Sequence, residues 1–109
     1  MDLAAQVLLA RLVSEGPLRV SALAECVQSD VSTVSRQVAA MVRDGLVERR
    51  ADQVDGRAIV LVPTEQGRAV HASHTQVRNA KLARLLCDWT DDDCRHFATL
   101  LARFAADLA

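Results

Sequence analysis

Apolar residues Leu3, Val7, Leu8, Leu12 and Val13 recur at the spacing of one helix face, and Gly16-Pro17 ends the pattern. Glycine accepts the helix-terminating conformation and proline cannot continue a helix, so a first helix is predicted over residues 2–14. After the extended link Leu18-Arg19-Val20, Ser21 is the expected N-cap of a brief second helix carrying Leu23, Ala24 and Val27. The polar turn Gln28-Ser29-Asp30 leads to a third helix capped by Asp30, whose Val34, Val38, Met41 and Val42 form a core-facing stripe. Ser32, Ser35, Arg36, Ala39 and Arg43 fall on its opposite face, Arg43 complementing the helix dipole, and Gly45 stops it.

The period then changes. Residues 46–50 and 58–62 read as two strands around the loop Asp52-Gln53-Val54-Asp55-Gly56-Arg57, where Asp-Gly supplies turn residues and Pro63 closes the second strand. Thr64 is placed to cap a long helix over residues 65–87, with Val70, Val77, Leu82, Leu85 and Leu86 among its apolar positions, and Trp89-Thr90 marks a break. Thr90, followed by Asp91, Asp92 and Asp93 at the positive end of the helix dipole, starts the last helix. Its Cys94, Phe97, Ala98, Leu101, Phe104, Ala105 and Leu108 step by three and four, a stripe that a lone surface helix would leave exposed. That helix wants a partner. The fold class is therefore mainly α with a small β-hairpin: a winged helix-turn-helix centred on Ser21 to Thr64 within residues 1–67, then C-terminal helices over 68–109.

Composition narrows the picture. The chain's 109 residues suit one modest core, and with Trp89, Phe97 and Phe104 as the aromatics that core must be aliphatic. A large enzyme is excluded. The formal net charge of −1 hides an asymmetry: from Ser35 to Arg50 four arginines face two acids, whereas from Asp88 onward two arginines face five aspartates. No signal peptide or membrane span is indicated, so a cytoplasmic location is expected.

Three helices followed by a hairpin are a device for reading duplex DNA, since the major groove admits one helix and an adjacent hairpin reaches the neighbouring backbone or minor groove. The third helix is the candidate reader. Ser32, Thr33 and Ser35 offer hydroxyls for phosphates or bases, and Arg36 or Gln37 could contact purines.

The run Ser32-Thr33-Val34-Ser35-Arg36, then Gly45-Leu46-Val47-Glu48-Arg49, Asp55-Gly56-Arg57 and Thr64-Glu65-Gln66-Gly67 closely resembles the MarR (multiple antibiotic resistance regulator) family across almost the whole chain. The resemblance implies that Arg57 enters the minor groove from the wing tip, that Asp55 braces the wing by orienting a nearby arginine, and that Arg49 and Arg50 flank the DNA backbone. It also implies a homodimer on a palindromic operator, acting as a repressor, and allows a small-molecule effector. Family members usually carry a further helix ahead of the segment matching Met1 to Val13, so here residues 68–109 are expected to carry dimerisation.

A winged-helix module that binds protein is the alternative reading, and an oxidant- or metal-sensing regulator differs from the leading one in its trigger. Cys26, Cys87 and Cys94 lack paired spacing for a disulfide framework or zinc site, and Cys26 is expected to fill the core between the second and third helices. His71 with His74, and Cys94 with His96, make no complete ligand set, so neither metal nor cofactor is expected. Ser73, His74 and Asp88 are scattered polar residues rather than a nucleophile, base and orienting group, and no catalysis is expected.

Overall fold

Four of the five helices described begin where short polar side chains take up N–H groups that have no partner within the helix. The structure, a computed structural model, describes residues 1–108. Among these the order is α1 (Leu3–Glu15), α2 (Val20–Cys26), α3 (Val31–Arg43), β1 (Val47–Ala51), β2 (Ile59–Pro63), α4 (Glu65–Leu85) and α5 (Asp91–Leu108). Asp2 caps α1 through the Ala5 N–H at 2.8 Å, Asp30 caps α3 through Thr33 at 2.9 Å, Thr64 caps α4 through Gly67 at 3.0 Å, and Thr90 caps α5 through Asp93 at 3.1 Å.

α2 departs from the expected cap. Arg19 sits at its N-cap with no side-chain cap bond, and Ser21 lies inside the helix. Leu18 pairs with Leu61 through two backbone hydrogen bonds, of 3.3 and 2.7 Å, which hold the chain extended up to Arg19. The helix starts directly beyond that pairing, ahead of the serine that could have capped it.

Residues Met1 to Thr75 form one compact unit and those from Gln76 onward a second, with α4 spanning the boundary. The core of the first unit is aliphatic, as predicted: Leu8, Leu9 and Leu12 of α1 meet Leu23 and Ala24 of α2, Val34, Val38 and Met41 of α3, and Leu46, Val47 and Leu61 at the hairpin base. Each fully buried leucine contributes about 1.5–3 kcal/mol. Cys26 is exposed, against expectation, because the inward face of this short helix is taken by Leu23 and Ala24.

β1 and β2 pair antiparallel from Val47 opposite Pro63 to Ala51 opposite Ile59. The connection between them is too long for a two-residue turn, and Gly56 does not take a positive φ. The loop is shaped instead by aspartate side chains: Asp52 Oδ1 accepts from the Val54 N–H at 3.0 Å and Asp55 Oδ1 from Arg57 at 3.1 Å.

In the second unit Trp89 packs edge-on against Phe97, with ring centroids 5.5 Å apart. No residue of α5 is buried, and Phe97, Leu101, Phe104 and Leu108 are 40, 51, 61 and 64% exposed. No helix among the described residues is long and apolar enough to cross a membrane.

Candidate nucleic-acid interface

The 3.6-residue period of α3 sorts its side chains by direction. Val34, Val38 and Met41 are buried, Ser32, Arg36 and Arg43 are exposed, and Thr33, Ser35, Gln37 and Ala39 lie half-buried between. Thr33 and Gln37 form the flank towards α1, bordering a groove of about 340 Å³ with Leu3, Val7 and Val27. Gln37 also borders a second groove, of about 510 Å³, shared with Met41, Gln66 and Val70. Of the residues singled out from sequence, Ser32 and Arg36 share the outermost ridge, and Gln37 stands to one side of it.

The hydroxyls at the tip of α3 are engaged. Ser32 donates to Asp30 Oδ2 at 2.6 Å, and Thr33 Oγ1 lies 2.8 and 2.9 Å from the two Asp30 oxygens. The Ser32 bond, followed by those from the Thr33 N–H and hydroxyl, holds the Asp30 carboxyl well below the usual carboxylate range. Arg36 Nη2 reaches Thr33 Oγ1 at 3.5 Å, drawing its guanidinium towards the N-terminal turn of α3.

Arg49 and Arg50 point to opposite faces of the hairpin, because successive strand residues alternate. Arg49 lines a cavity of about 220 Å³ with Ser35, Val38, Val20, Ile59 and Leu61, on the side of α3. Arg50 is on the other face, paired with Glu48.

The wing loop is held by a residue outside the hairpin, Arg19 at the N-cap of α2. Arg19 Nη2 stands 3.1 Å from Asp52 Oδ2 and 3.9 Å from Asp55 Oδ2, so the N-terminus of α2 is tied to the loop whose backbone presents Arg57. Of the two aspartates that Arg19 approaches, Asp52 makes the shorter contact and Asp55 the longer. The Val54 N–H and then Arg19 lower the Asp52 pKa. Alternation of Leu18, Arg19 and Val20 would have placed Arg19 outward; nothing in the sequence specifies a partner 33 residues away.

The surface thus combines a helix ridge that carries the exposed Arg36 guanidinium and Ser32 hydroxyl with a hairpin whose tip is preset by two aspartates. It offers positive charge and hydrogen-bonding groups suited to a grooved polyanion.

The family model of the MarR family matches residues 3–59. YxaD of Bacillus subtilis (strain 168), an uncharacterized HTH-type transcriptional regulator, is 33% identical over 94% of this chain and 72% of its own length. A MarR family protein from Bacillus stearothermophilus has the same fold, with a TM-score of 0.90 and 25% identity over 99% of this chain and 75% of that one. FabT of Streptococcus pneumoniae, solved in complex with DNA, superposes with a TM-score of 0.81 at 19% identity, over 100% of this chain and 78% of its own. With the family match spanning more than half the chain, and a relative one-third identical over nearly all of it, this winged helix-turn-helix chain belongs to the MarR family.

Proposed function

We propose that the chain is a DNA-binding transcriptional regulator that acts as a homodimer on a palindromic duplex site and represses by occluding a promoter. The observation that carries this reading is the ridge of α3, with Ser32 and Arg36 outermost, held beside a hairpin whose loop fixes the Arg57 backbone through Asp55. A helix of this kind fits the major groove, and Arg57 reaches the adjacent minor groove. Ser35, Arg49 and Arg50 supply further contacts to the duplex, and Thr33 and Gln37 contribute from the flank.

The relatives are consistent with it: YxaD is an HTH-type transcriptional regulator, and FabT holds DNA with this fold. The exposed α5 stripe supports the homodimer, because a second copy supplies the same apolar surface and buries both. Two copies related by a two-fold axis present their α3 helices to half-sites about one helical turn, ~34 Å, apart. The chain acts by binding and not by catalysis.

Selection of duplexes from a random pool tests this reading. It expects an inverted repeat bound by two copies of the chain, with the molecular mass measured by light scattering. Enrichment of unrelated sequences with no repeat, or a bound monomer, contradicts the homodimeric palindrome.

A further inference from the structure

Asp30 caps α3, but its carboxylate also decides what the neighbouring hydroxyls present to the outside. A carboxylate only accepts hydrogen bonds, and a hydroxyl has one proton to give. With Ser32 Oγ at 2.6 Å and Thr33 Oγ1 at 2.8 Å from Asp30, both protons point at the carboxylate. Thr33 Oγ1 then accepts from Arg36 at 3.5 Å. Ser32, exposed, is left showing lone pairs alone, with the Arg36 guanidinium one turn along the same ridge. The ridge is therefore ordered, with an acceptor at position 32 and a donor at position 36.

A free hydroxyl contacts either kind of base edge, because it both donates and accepts. Here that ambiguity is removed. Resting on the DNA-binding reading above, we propose that Asp30 sets a base preference by fixing Ser32 as an acceptor, so that Ser32 selects a base amino group in the major groove, cytosine N4 or adenine N6. Arg36 reads the neighbouring purine edge as donor. Asp30 is thus a positioning residue: it acts on specificity through Ser32 without touching the duplex. The low pKa of its carboxyl keeps it ionised, and the polarity fixed, across neutral pH.

Asp30→Gly isolates the effect. Glycine is among the residues accepted at an N-cap, so α3 keeps its start. It has no side chain to receive the Ser32 proton, so the Ser32 hydroxyl is free to donate as well as accept. Selection from a random duplex pool, followed by competition binding, is carried out with the wild-type chain, Asp30→Gly and Ser32→Ala. At one position of the site the wild type is expected to favour cytosine or adenine on one strand by about 2- to 10-fold, the worth of one hydrogen bond. Asp30→Gly lets that position take guanine or thymine, whose exposed groups on that edge accept, as readily as cytosine or adenine, so the preference there is lost. Ser32→Ala flattens it and leaves the preference read by Arg36 in place. An Asp30→Gly chain that keeps the wild-type preference overturns the proposal, as does a Ser32→Ala chain that keeps it. A wild-type chain that enriches no sequence overturns the DNA-binding reading itself, so the two failures are distinct.

Discussion

Gly67, in the first turn of α4, lies so close to the backbone of Leu46 that a β-carbon there would stand 2.1 Å from the Leu46 carbonyl oxygen. The same oxygen accepts the Thr64 N–H at 3.0 Å. The Thr64-Glu65-Gln66-Gly67 segment is therefore the place where the end of α3, the base of β1 and the start of α4 meet. Gly67→Ala is expected to destabilise the chain by about 1–3 kcal/mol or more, since backbone rather than a flexible side chain must move. Urea unfolding of the variant measures this; a midpoint equal to wild type contradicts the close approach.

Thr64 has two tasks at that junction. Its hydroxyl donates to the Gly45 carbonyl at 2.6 Å and accepts from the Gly67 N–H at 3.0 Å. Thr64→Val keeps the shape and loses both bonds, with an expected cost of about 1–2 kcal/mol, whereas Thr64→Ser is expected to lose less. Equal melting temperatures for wild type and Thr64→Val would show that the hydroxyl is idle.

The pairing of Arg19 with Asp52 predicts non-additive variants. Arg19→Gln and Asp52→Asn are each expected to weaken duplex binding by loosening the wing, and the double variant to be little weaker than either single one. Losses that multiply in the double variant would mean that the two side chains act independently. Raising salt is expected to narrow the gap between wild type and the single variants, because this pair is partly exposed.

Acid sensitivity follows from Asp30 and Asp52, whose pKa values are both lower in the folded chain than the ordinary aspartate value. A depressed folded value means the stabilisation is fully present above the ordinary value, about 4, and is lost as pH falls through the folded one. Melting temperature is therefore expected to drop below about pH 4 in the wild type. Asp30→Asn and Asp52→Asn should show a shallower drop, measured by circular dichroism from pH 7 to 2. Parallel curves for all three chains would remove the two carboxylates as the cause.

Much of this fold was legible in the sequence because its signals are local. Asp30, Thr64 and Thr90 announced their helices by residue type, and the Val34, Val38 and Met41 spacing gave the buried side of α3. Ser21 misled because the start of α2 is fixed by the Leu18–Leu61 pairing, a contact between distant segments that no local rule contains. Asp55-Gly56 suggested a tight turn, whereas the longer loop is organised by its aspartate side chains. The proposed interface was legible as a set of residue types. Its directions were not: the separation of Arg49 from Arg50, the sideways placement of Gln37 and the reach of Arg19 to Asp52 depend on how the elements pack.

The proposed DNA-reading surface is tested most directly by measuring the affinity of the wild-type chain, Arg36→Ala and Arg57→Ala for the selected duplex and a scrambled one across a salt series. Arg36→Ala is expected to lose about 1–3 kcal/mol on the selected duplex and far less on the scrambled one. Arg57→Ala is expected to weaken both alike and to lower the salt slope by about one. Unchanged affinity for both variants on both duplexes would contradict the account.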